Sequence, residues 1–339
     1  MARSTAAQGV QVGVEATPGT IVPASKTLGS VGFALSPSVE SSTFRPKGTK
    51  YPTVVTPNQE WAAGDVDGQP TYEEVIVPLS SVFTRATVAA VMDGATETGA
   101  YEWTFSPESS AADDPVTFTV ESGDATQAER TGHVLVTDFG LDISRSEMSL
   151  KGSAIGQRLE TGVTMTADPT PYSPDLTPIT PGSVCVYVAD TLAGLDDAAT
   201  ARQGTVLSAS PSIGGRFNPV WYLNCVLDSF ATFSEAPEPD FSIDYVVEAN
   251  ANGMAWLDRF RTGQTQYVRI EATGPDIYTG GATPVKNLFQ WDFAVKVSEP
   301  GDMGDEDGIY ALHPTLQVVH DPAWGRATQV RVINTVAAL

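Results

Sequence analysis

The sequence predicts a mainly β fold: two tandem β-sandwich or half-barrel lobes, each with one packed α-helix, preceded by an extended N-terminal arm. Three observations carry this expectation. Gly and Pro number 30 and 24 in 339 residues and are spread along the chain, which suits strands joined by turns. Most apolar segments alternate with period two rather than 3.6. Finally, Leu35-Ser36-Pro37-Ser38-Val39 returns 174 residues later as Ala209-Ser210-Pro211-Ser212-Ile213. Each copy is followed by extended stretches, one amphipathic helix, an aromatic strand and further strands, which is the order a doubled unit shows.

Residues 1–30 are small, polar and irregular, with a turn at Thr17-Pro18-Gly19-Thr20. They are expected to form an arm with little core of its own, ordered on a neighbouring copy. The first lobe spans 31–168. A helix is expected near 72–93: Thr71 and Glu74 make a capping box, Glu73 suits the first turn, and Val75, Leu79, Val82 and Phe83 share a face. Pro78 should bend that helix, and Asp93-Gly94 should stop it. Strands are expected at Tyr101 to Phe105, at Val116, Phe118 and Val120, at Phe139, Leu141 and Ile143, and from Met148 to Gln157.

Five prolines between Pro169 and Pro181 forbid helix and central strand, so 169–182 is expected to be a stiff connector. The second lobe spans 183–339. Phe241, Ile243, Tyr245 and Val247 alternate with polar residues as a half-buried strand. A helix near 251–262 starts at Asn250 or Asn252 and ends at Gly263, with Trp256 and Phe260 stacked at i, i+4 and Met254 and Leu257 beside them. Strands follow at Tyr267 to Ala272, Phe289 to Val297, Leu316 to His320 and Val330 to Val336.

A hydrophobic content of 41% gives each lobe material for a core. The net charge is −22, and each half, split at residue 170, carries −11. Distributed acidity repels a nucleic-acid backbone, which argues against sequence reading or nucleic-acid packaging. The same repulsion is useful where DNA must pass without sticking, and acidity also keeps a concentrated protein soluble. Cys185 and Cys225 are too few for a disulfide scaffold; two buried thiols are expected, a single bridge being the alternative. Met1 to Gln8 contains no apolar h-region and no apolar run is long enough to span a bilayer, so synthesis and folding in the cytosol are expected.

Catalytic chemistry has no positive signal. His133, His313 and His320 are far apart and are expected at strand ends or on the surface rather than on a metal. There is no G-x-S-x-G elbow, P-loop or H-E-x-x-H. Gly152-Ser153-Ala154-Ile155-Gly156 is glycine-rich but sits in a strand pattern. Asp65-Val66-Asp67-Gly68 begins like a calcium loop and lacks the later ligands. Asp302, Asp305, Glu306 and Asp307, closed by Gly308, read as a solvated loop, with a hard-cation site as the alternative. No catalytic, cofactor-binding or metal residue is assigned, and an enzyme is not expected.

Four ordered segments carry a family resemblance. They are Val10-Gln11-Val12-Gly13-Val14-Glu15-Ala16-Thr17-Pro18-Gly19-Thr20; Gly64-Asp65-Val66-Asp67-Gly68 leading to Tyr72-Glu73-Glu74 and then Gly99 to Pro107; Tyr267 to Gly274; and Gly304-Asp305-Glu306-Asp307-Gly308 followed by His320-Asp321-Pro322-Ala323-Trp324-Gly325. Together they resemble the major tail tube protein of long, non-contractile-tailed bacteriophages, in the form common among phages of actinobacteria. The resemblance implies two tandem tail-tube-like lobes and a structural role in the virion tail, assembled in the host bacterial cytoplasm. Subunits would close into rings, and stacked rings would form a negatively charged channel through which DNA passes without specific binding. The doubled unit suggests trimeric, pseudo-hexameric rings. Partners implied by the resemblance are other copies of the chain, the tape measure protein, the tail terminator and the distal tail protein, with no membrane and no small-molecule substrate. A carbohydrate- or receptor-binding β-sandwich that decorates a virion is the alternative, and it would present an exposed aromatic patch.

Overall fold

The computed structural model describes residues 8–124, 126–224 and 229–339, and the chain is mainly β. The first strands are β1 (Gly9–Val14), β2 (Lys26–Leu28), β3 (Val31–Phe44) and β4 (Val54–Gly68), followed by helix α1 (Ile76–Val82). Then come β5 (Thr87–Asp93), β6 (Thr96–Phe105), β7 (Phe118–Gly123), β8 (Ala128–Ser144), β9 (Met148–Gly156), β10 (Glu160–Val163) and β11 (Thr170–Pro171). The second half opens with β12 (Val184–Ala189), the short helix α2 (Ala198–Ala201), β13 (Arg202–Gln203) and β14 (Val206–Gly214). Next are β15 (Phe217–Val220), β16 (Thr232–Glu235), β17 (Asp240–Glu248) and helix α3 (Ala251–Thr262). The chain finishes with β18 (Gln266–Tyr278), β19 (Val285–Glu299), β20 (Met303–Glu306), β21 (Ile309–Leu312), β22 (Thr315–Val318) and β23 (Thr328–Asn334).

Two antiparallel layers hold the core between them. One runs β3-β4-β9-β8-β14-β17; β17 then pairs with β21 and β22, and β22 pairs with the end of β19. The other runs β13-β12-β18-β19-β23-β6-β5. Period-two alternation sends Phe139, Leu141, Phe241 and Ile243 inward from the first layer, and Phe289, Trp291 and Phe293 from the second. Trp291 is the hub. Its ring lies 5.8 Å from Phe139, 6.0 Å from Phe241 and 6.1 Å from Phe83, and its indole N–H donates to Thr328 Oγ1 at 2.9 Å.

Helix α1 is shorter than the expected 72–93 and is wholly buried. Thr71 Oγ1 accepts the Glu74 N–H at 3.2 Å, as in a capping box. The Glu74 carboxylate does not close that box. It accepts the backbone N–H groups of Gly29 at 2.8 Å and Ser30 at 2.7 Å instead, so it serves the arm. Residues 87–93 form strand β5, because Thr87 to Val91 are small or β-branched and Gly94, at φ 62°, makes a hairpin turn to β6. Helix α3 has the expected boundaries: Asn250 Oδ1 accepts from Asn252 and Gly253, and Gly263 sits at φ 62°. Trp256 packs on Tyr245 at 5.4 Å, whereas Met254 and Phe260 stay exposed.

The arm is part of the fold over its described length. β1 pairs with β7 on one side and β2 on the other, and Val12, Ala24 and Leu28 are buried. Residues 169–182 also lie against the body: β11 bridges β2, Pro178 bridges Thr71, and Tyr172 and Ile179 are buried. The two halves share one core rather than closing separately. β14 pairs with β8, β23 is inserted between β6 and β19, and one apolar cluster contains Phe33, Phe139, Phe241 and Trp291.

Candidate assembly surface

The outward side of the first layer has a distinct composition. One row across it reads Gly32, Asp67, Lys151, Gly140, Ser212, Ser242 and Gln317, each opposite the next on the neighbouring strand. A second row joins Ala34, Asp65, Ser153 and Asp138, with Gly214 and Asp240 alongside. A third pairs Ser149 with Asp142, and Ser210 with Asp244 and Thr315. These rows hold six aspartates and Lys151; the first continues from Gln317 to Lys296 of β19, and Val246 shares the outward side of β17. Lys151 pairs with Asp142, whose hydrogen bond holds the ammonium above its ordinary value. The other aspartates leave the face acidic. Its small residues form a shallow depression between β9 and β17.

This face is the outer half of the alternation that builds the core. Asp138, Gly140 and Asp142 alternate with Phe139, Leu141 and Ile143; Asp240, Ser242 and Asp244 alternate with Phe241, Ile243 and Tyr245. The signal was therefore present in the period-two segments, but strand order was needed to put the aspartates on one surface.

The layer has open strands at β3 and at β20, while its other branch continues through β22 to β19. Among the described residues, β3 pairs only with β4, and β20 only with β21. An open strand edge presents unpaired N–H and C=O groups to a further strand. The β3–β4 hairpin also outruns the sheet. β9 covers β4 only from Ala62 to Gly68, so residues 38–61 form a two-stranded ribbon with its turn. Phe44, Tyr51 and Val55 on that ribbon are exposed by 62%, 78% and 60%, a concentration of apolar surface that a free hairpin does not bury.

The residues weighed for chemistry are dispersed. His133 is buried at a positive φ of 52° rather than lying at a strand end or on the surface. Its ring packs against Phe230 and Phe233 at 5.4 and 5.0 Å, and desolvation pushes its pKa below the ordinary value. His313 lies 3.9 Å from Glu306, and His320 is exposed. Asp65 and Asp67 belong to β4, and Gly152 to Gly156 to β9. Asp305 and Glu306 belong to β20, with Asp307 and Gly308 in the turn to β21. Among the described residues, no three His, Cys, Asp or Glu side chains converge on a point that could hold a metal. Cys185 is a free, half-buried thiol instead of a fully buried one, and Cys225 lies outside the described residues.

The carboxyl-end segment 320–325 is a tight turn on the second layer. Asp321 accepts the Tyr267 hydroxyl and the Trp324 N–H, the latter at 2.9 Å. Burial, followed by the hydrogen bond to Asp321, pushes the Tyr267 phenol up to about 12, while that bond lowers the Asp321 pKa. No helix among the described residues is long and apolar enough to cross a membrane. In comparison with known proteins, the chain matches no family model and no curated relative.

Proposed function

We propose that this chain is a structural subunit of a phage tail tube, self-assembling into rings that stack around a DNA channel. The observation that carries the reading is the acidic face, built mainly of small and polar residues, of a sheet with unpaired outer strands at β3 and β20. Edge-to-edge pairing of copies would extend that face into a closed wall. Aspartates on the wall would repel phosphate, so a duplex would slide through without being held. Lys151 does not reverse this, because Asp142 neutralises it.

The exposed ribbon of the β3–β4 hairpin supplies the axial contact in this reading. Its apolar tip would be buried on the adjacent ring, which explains a surface that otherwise costs solubility. The tape measure protein, tail terminator and distal tail protein are the further partners, and three copies per ring follow from the doubled unit. Negative-stain imaging of the purified full chain, with native mass of any rings, tests the proposal. Rings or tubes built of three chains support it. A persistent monomer at high concentration, or six chains per ring, contradicts the assembly or its stoichiometry respectively.

A further inference from the structure

The acidic layer contains its own internal junction between repeats, and that junction specifies an external one. In the first half, Phe33 stands opposite Val66, Val66 opposite Gly152, Gly152 opposite Phe139, and Phe139 opposite Ile213 of β14. In the second half, Val206 stands opposite Val247, Val247 opposite Leu312, and Leu312 opposite Met303. The row stops there. One position along, Lys151, Gly140 and Ser212 face one another in the first half, and Ala311 faces Gly304 in the second. The strand run β3-β4-β9-β8 is thus repeated as β14-β17-β21-β20, and β20 lacks the neighbour that β14 provides to β8.

The missing neighbour is identifiable from the sequence echo. Ser212 and Ile213 of β14 correspond to Ser38 and Val39 of β3, whose outer edge is also unpaired. Resting on the ring reading above, we infer that β20 of one copy pairs antiparallel with β3 of a second copy, with Met303 opposite Val39 and Gly304 opposite Ser38.

Two further observations agree with this register. Gly140 and Gly304 occupy the same place in the two runs. A Cβ on Gly140 would lie 3.3 Å from the Pro211 carbonyl oxygen and 3.4 Å from Ser212 Cβ, so close strand approach favours glycine at the internal junction. At Gly304 the nearest atom to such a Cβ is His313 Nε2 at 3.5 Å, an ordinary contact, so its own chain gives no comparable reason for glycine. Exposure follows the same logic. Ile213 and Phe139 are 3% and 1% exposed, while Val39 and Met303 are 53% and 38% exposed and await cover.

The test uses the full chain carrying Val39→Cys and Met303→Cys, assembled and then oxidised. Opposed strand positions lie within disulfide reach, whereas a two-residue slip moves the pair about 7 Å along the strand and out of it. The expected result is conversion of single chains to covalent multimers on a non-reducing gel, reversed by reductant, with only background linkage for Val39→Cys paired with Asp305→Cys. As a second arm, Gly304→Val should melt like the parent monomer but lose assembly. Rings that form without the Val39–Met303 link, or a Gly304→Val variant that assembles normally, overturn this junction while leaving the ring reading standing. A parent chain that never forms rings overturns both.

Discussion

Glu15 accepts the backbone N–H of His133 at 2.8 Å across 118 positions of sequence. The same buried carboxylate takes the Gly19 N–H at 2.8 Å and the hydroxyls of Thr117 and Thr119 at 3.0 and 2.9 Å. Four donors converge on one charge, and that convergence fastens the arm to β7 and β8. Glu15→Gln replaces one acceptor oxygen by an amide that points donors at donors. The expected cost is about 2–4 kcal/mol of stability, measured by urea denaturation. A loss below about 0.5 kcal/mol would mean that the arm is held by strand pairing alone.

His133 makes stability depend on pH. Burial against Phe230 and Phe233 lowers its pKa in the folded state, with the nearby Glu15 charge opposing part of that shift. The unfolded chain therefore binds the proton more readily. This contribution is present above about pH 6.5 and is lost as pH falls below it. His133→Asn tolerates the positive φ and removes the titrating group. Melting temperatures of parent and variant, measured between pH 7.5 and 5.5, should converge as pH falls. Parallel curves would show that His133 does not titrate differentially.

Charge reversal on the acidic face should create DNA affinity where there was none. Asp65→Lys combined with Asp67→Lys changes the local charge by four units next to Lys151. Fluorescence anisotropy with a labelled duplex at low salt should show binding by the variant that falls steeply as salt rises, and none by the parent. Binding by the parent itself would contradict a channel-lining role.

The ribbon tip is predicted to govern stacking rather than folding. Replacing Phe44, Tyr51 and Val55 by serine removes exposed apolar area and no core contact, so the melting temperature should stay within about 2 °C of the parent. Tube length seen by electron microscopy should collapse to single rings or short stacks. Tubes of parental length would transfer the axial contact to another surface.

Trp291 offers a test of the shared core. Truncation to alanine would remove ring contacts to residues of both halves and open a cavity, at an expected cost of about 3–5 kcal/mol. One cooperative loss across the chain, followed by hydrogen exchange, is expected. Selective exchange of residues 183–339 alone would indicate independently closing halves.

Strand positions were legible because burial on one side imposes period two; Phe241 to Val247 and Phe289 to Val297 are strands as expected. The helix at 251–262 was legible through Asn250 and Gly263, whose local chemistry sets both ends. Residues 84–93 carry a helix expectation because capping at Thr71 is real, yet the segment it precedes stays helical only to Val82. The docking of the arm is hidden in the sequence for another reason. Glu74 fits a capping-box pattern and Glu15 lies in an irregular polar segment, and only the fold brings the distant backbone donors to them. The acidic face needed strand order, which alternation within one segment does not contain.

Strand β23 lies between β6 and β19, and Trp103 near the C-terminal end of β6 donates its indole N–H to the Val336 carbonyl at 2.8 Å. The second layer is consequently interrupted until residues 328–336 have been synthesised. A nascent or prematurely ended chain would hold β6 and β19 apart with their inner edges bare. Closing this layer thus depends on long-range pairing of β6, β19 and β23. Only a chain that includes β23 can close the second layer.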